Sequence, residues 1–128
     1  MSRDQIFEQL QLVGTEYHWR AMSLDDLNDR FVLPFNTLDE DDSAQIIQNL
    51  DNNTFDLWRK KLWDAQDIPV EEDGYARTLS ICIALKKSLL YRLPVVETQR
   101  ERNPLQQQLA HISIITNPVF LEAGLAGN

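Results

Sequence analysis

Apolar positions along this chain recur at helical spacing for most of its length. Ile6, Leu10, Val13 and Tyr17 lie four, three and four residues apart, which places them on one face of a helix. Ser2 and Gln5 stand in front of that face with the spacing of a capping box, in which each side chain satisfies a backbone N–H. A first helix is predicted over about 3–21, weakened by about 1 kcal/mol at Gly14 relative to alanine. Ser23, Asp25 and Asp26 signal a second start, and Leu24, Leu27 and Phe31 form its face. Pro34 is expected to stop this helix near 32, because a proline pushes its predecessor out of the α region. A loop over 34–42 follows, and then a short helix beginning at Ser43 and ending at Leu50. Asp51-Asn52-Asn53 reads as a stop and a new cap. A fourth helix follows over about 54–66, with Phe55, Trp58 and Leu62 on its apolar face.

Beyond an acidic connection over 67–74, the segment 75–92 is the most apolar of the chain. Leu79, Ile81, Cys82, Ile83, Ala84, Leu85, Leu89 and Leu90 cover most of a helical circumference. A helix that is apolar nearly all round belongs at the centre of a domain. Residues 95–102 are polar and carry no clear signal, whereas Asn103-Pro104 reads as a cap with proline in first position. Leu105, Leu109, Ile112 and Ile115 keep helical spacing, with a short strand over 111–116 as the competing reading. The predicted fold is all-α. It is one domain over 1–128, a compact bundle of about five to seven helices around the central apolar helix.

Charge adds something the pattern does not. The chain carries −8 overall, but residues 1–58 hold three basic and twelve acidic side chains, whereas residues 59–128 are nearly balanced. Such a balance opposes nucleic-acid binding, since phosphate contacts require Lys and Arg to displace counterions. The basic side chains concentrate at Arg77, Lys86, Lys87, Arg92, Arg100 and Arg102, which can pair with the acidic half within one molecule or between protomers. The single cysteine excludes an intramolecular disulfide and fits a reducing compartment. No run of about 18 apolar residues is present, and Met1 to Gln5 lack the basic-then-apolar pattern of a secretory signal. A cytoplasmic protein with no membrane association is expected.

Candidate chemistry is sparse. Calcium loops counted from Asp39, Asp51 or Asp67 need glycine at position 6 and glutamate at position 12. They meet Ala44 and Leu50, Asp56 and Leu62, or Glu72 and Thr78, so all three fail. Zinc ligation requires clustered Cys, His and carboxylates, but His18, Cys82 and His111 are far apart in sequence. Cys82, between Ile81 and Ile83, reads as a small core hydrophobe and not as a reactive thiolate. The four glycines, at 14, 74, 124 and 127, build neither a phosphate loop nor a nucleophile elbow. Trp58-Arg59-Lys60-Lys61-Leu62-Trp63 interleaves aromatic and basic residues, yet Trp58 and Leu62 share the core face.

The functional expectation is a non-catalytic, cytoplasmic protein-interaction or regulatory module without cofactor or metal. Its proposed contact is the acidic run Asp39, Glu40, Asp41 and Asp42, facing a protein partner that complementary charge would make basic. The alternative is a small-molecule binder or enzyme with an inter-helix pocket near Tyr17, His18 and Trp19, reaching Cys82. Homodimerisation is compatible with either.

Overall fold

A computed structural model of the chain describes residues 2–12, 21–66 and 72–116, and among these there are six helices and no strand. Helix α1 spans Arg3–Leu12. The capping box forms as its spacing predicts: Ser2 N donates to Gln5 Oε1 at 2.9 Å and Gln5 N to Ser2 Oγ at 3.3 Å. Ile6 and Leu10 are buried, while the predicted continuation through Val13 and Tyr17 falls outside the described residues.

The second helix overturns the expectation at Pro34. Helix α2 begins at Leu24–Leu27, widens into a π-helical stretch at Asn28–Val32 and closes through Leu33–Asn36. Its start is as predicted, with Asp26 N donating to Ser23 Oγ at 3.1 Å. In a regular α-helix the Pro34 ring would strike the carbonyl four residues back and would remove one hydrogen bond. The π stretch takes up the misfit: Leu33 N donates to Asn28 O, five residues back. What holds this irregular geometry is burial on both sides of the proline, with Phe31, Val32 and Phe35 all in the core. Helix α2 ends where Thr37 Oγ1 and Lys87 Nζ donate to the Pro34 and Phe35 carbonyls, at 2.6 and 3.1 Å.

Helix α3, Glu40–Asn49, starts three residues earlier than its periodicity suggests, because Asp39 is its cap. Helix α4, Asn52–Ala65, is capped by Asp51, whose carboxylate accepts from Thr54 N at 2.7 Å and from Thr54 Oγ1 at 2.8 Å. These bonds, the backbone one foremost, hold the Asp51 carboxyl below its ordinary value. A depressed carboxyl stabilises the fold above its unfolded pKa, and that contribution is lost as pH falls through the lowered native value. Asp51→Asn keeps the cap and removes the titration. We expect a shallower loss of stability below about pH 4 than in the parent, read from urea midpoints across an acid series. Identical pH profiles would exclude this role.

Helix α5, Glu72–Arg92, is the predicted centre. It packs against α2, α3, α4 and α6, and buries Ile81, Cys82, Ala84, Leu85, Ser88 and Leu89. A short 3-10 turn, Leu93–Val95, leads to helix α6, Gln99–Ile115. One expectation fails in this last helix, and the competing strand reading falls with it. The helix starts at Thr98, whose Oγ1 accepts from Glu101 N at 3.2 Å, so Asn103-Pro104 is no cap and Pro104 sits inside the helix. Nor is 111–116 a strand, since the helix runs through Ile115 and buries Ile112 against the core. No helix among the described residues is long and apolar enough to cross a membrane.

Candidate functional site

The acidic run is built into a helix start. Asp39 takes extended geometry, φ −71° and ψ 174°, and its carboxylate accepts from Asp42 N at 2.8 Å. Glu40, Asp41 and Asp42 then fill the first turn, where the unpaired backbone N–H groups favour negative charge by about 0.3–1 kcal/mol each. Asp42 lies 3.5 Å from Arg3 Nη1 at the start of α1. From the central helix Lys87 reaches under the turn, donating to Phe35 O and Leu38 O and lying over the Phe35 ring at 4.8 Å. Burial lowers the Lys87 pKa, and Asp39 and Glu40 oppose that by favouring its charge. The Tyr91 hydroxyl is raised, first by burial and then by the Glu40 and Asp41 charges. All four predicted residues thus come together, but with different tasks. Asp39 is a cap and Asp42 is drawn toward Arg3, while Glu40 and Asp41 stand exposed.

The other candidates separate. Tyr17, His18 and Trp19 lie outside the described residues, so the pocket expected there does too. Cys82 is buried in the core. His111 is exposed, its ring edge-on to Trp63 with centroids 5.4 Å apart. Among the described residues no three Cys, His, Asp or Glu side chains are grouped to hold a metal ion. In the aromatic–basic run, Trp58 is fully buried and Trp63 is half-buried.

A second site, unforeseen from sequence, lies where α4 begins, α5 ends and α6 begins. It is a cleft of about 380 Å³ bounded by Asn52, Phe55, Asp56, Arg59, Arg92 and Glu101 among others. Arg92 is buried beside it. Its Nη1 donates to Ile47 O at 2.7 Å and Leu50 O at 2.8 Å, and its Nη2 to Asn52 Oδ1 at 2.6 Å. The guanidinium lies 4.7 Å over the Phe55 ring. Burial lowers its pKa, with Asp56, Asp51 and Glu101 acting in opposition. Arg59 donates to Gln108 Oε1 at 2.8 Å and stands 3.7 Å from Asp56. The only sequence signal near this cleft is the cap spacing of Thr98 and Glu101, which marks the start of α6 but not its place beside Arg92. The chain matches no protein-family model, and neither the curated proteins nor the solved structures show significant similarity to it.

Proposed function

We propose that this protein is a non-catalytic interaction module that presents the first turn of α3 to a basic protein partner. The observation behind this reading is the division of labour within the acidic run. The fold employs Asp39 as a cap and sets Asp42 near Arg3, yet it leaves Glu40 and Asp41 facing solvent at a helix start. Two exposed carboxylates on a rigid turn form a site whose charge would steer a basic partner and accelerate encounter. A cytoplasmic setting, with its reduced thiols, suits the single buried cysteine.

The turn itself dictates the test. Reversing all four acids would remove a cap as well as a surface, so the informative variant is Glu40→Gln with Asp41→Asn. Far-UV circular dichroism should be unchanged. Capture of a basic partner from extracts of the source cells should fall, and its salt dependence should flatten. Equal capture, with equal salt dependence, would remove the acidic turn from the interface.

A further inference from the structure

We propose that the cleft between the starts of α4 and α6 and the end of α5 binds a small zwitterion, namely a free α-amino acid with an apolar side chain. This site is separate from the acidic turn, and its test is independent of the interaction reading. The argument begins with charge. Arg59 and Arg92 supply two positive groups to the lining, while Asp56 and Glu101 supply two negative ones. A simple anion entering the cleft meets two carboxylates, and a simple cation meets two guanidiniums. A ligand carrying both charges is matched by both sets, which is how complementary lining confers specificity.

Hydrogen-bonding capacity points the same way. The buried Arg59 Nε–H has no partner, and the 3.7 Å separation from Asp56 is too long for a hydrogen bond. Nη1 is committed to Gln108 and the Nε–H is enclosed, so Nη2 is the donor that Arg59 retains for a carboxylate. Arg92, with Nη1 committed to two carbonyls, adds fixed positive charge behind it. Asp56 and Glu101, both exposed, are placed to accept from an ammonium group. The apolar part of the ligand has its own surface in Phe55, Val96, Pro104 and Leu105. At about 380 Å³ the cleft falls within the usual range for small-ligand sites. A smaller recess of about 190 Å³ shares Asn52, Arg92, Val96 and Glu101 with it.

The experiment is a titration of the isotopically labelled full chain, followed by amide and guanidinium NMR resonances. Three probes are compared: L-leucine, N-acetyl-L-leucine, which lacks the cation, and L-leucinamide, which lacks the anion. Leucine should shift the Asn52 side-chain amide and the Arg59 Nε–H saturably, with Kd about 1 mM or tighter. Each singly charged analogue should bind about tenfold more weakly, or worse. Arg59→Gln, with its fold verified by its amide spectrum, should weaken leucine by a similar factor. The proposal is overturned if leucine gives no saturable shift below about 20 mM. It is equally overturned if either analogue binds as well as leucine, or if the shifted residues lie away from the cleft.

Discussion

Arg92→Met is expected to destabilise the protein by about 3–5 kcal/mol, the largest loss from any single polar side chain here. Methionine can replace much of the aliphatic stem, so the loss comes from hydrogen bonding and not from volume. The guanidinium satisfies Ile47 O and Leu50 O, carbonyls at the end of α3 that lack the bonds a continuing helix would supply. Orphaning a buried carbonyl costs about 1–3 kcal/mol, and two are orphaned at once. Asn52, being exposed, can turn its own amide toward water and adds less. Arg92→Lys should recover only part of the loss, because an ammonium keeps the charge but not the planar fork that spans two carbonyls and Asn52. Urea unfolding measures both, as shifted midpoints at unchanged slope. A loss under about 1 kcal/mol for Arg92→Met would mean that water reaches those carbonyls and that Arg92 does not hold the α3–α4 corner.

That corner also explains where the uneven charge goes. Read along the chain, an acidic first half and a basic strip at 77–102 can pair within one molecule or between protomers. In the fold, four of the six cations of the strip have partners within the chain, and only Arg92 is buried. Arg77 pairs with Asp25 at 2.7 Å, Lys87 terminates α2, Arg92 terminates α3, and Arg102 donates to Val96 O at 2.8 Å. Cations at helix C-termini complement both the orphan carbonyls and the helix dipole. Lys87 and Arg92 of the second half thus serve backbone carbonyls of the first half, while Arg77 pairs with one of its carboxylates. Glu40 and Asp41 are exposed and have no ion pair among the described residues.

Much of this architecture was legible from the residues alone. Ser2 and Ser23 mark helix starts because a cap is a local hydrogen bond between neighbours in sequence, and each forms as read, whereas in Asp51-Asn52-Asn53 it is Asp51 that caps, so α4 starts two residues before the expected 54. The central helix was legible because four packing partners require an apolar surface on nearly every side. What failed were the places where long-range packing outweighs a local rule. Pro34 should end a helix, but the burial of Phe35 beyond it favours a π turn over termination. Asn103-Pro104 imitates a cap, while Thr98 provides one a turn earlier. The acidic run stands out in the sequence, but that it opens α3 and is not part of a loop, and its split into structural Asp39 and Asp42 and exposed Glu40 and Asp41, needed the third dimension. The Arg59–Arg92 cleft was not legible, because its parts come from three helices and no one of them carries a motif.

Trp58→Ala is expected to cost about 3–5 kcal/mol, comparable with the loss at Arg92 but for a different reason. Trp58 is fully buried where α4 meets α5, with the Phe35 ring set edge-on at 6.0 Å between centroids. Its truncation leaves a cavity that the surrounding helices can collapse into only partly. Trp58→Phe separates packing from hydrogen bonding. Trp58 Nε1 donates to Ser88 Oγ at 2.8 Å, and Ser88 Oγ in turn donates to Ala84 O at 2.8 Å, so the serine loses an incoming bond but keeps its outgoing one. That variant should lose about 1–2 kcal/mol. Trp63→Ala should lose less than Trp58→Ala, since Trp63 is only half-buried against the exposed ring of His111. Equal losses at the two tryptophans would contradict this assignment and would reopen the 58–63 run as a surface of alternating aromatic and basic groups. The expected inequality instead makes Trp58 the anchor of α4 on the central helix, and thereby the residue that sets the position of the Arg59 side of the cleft.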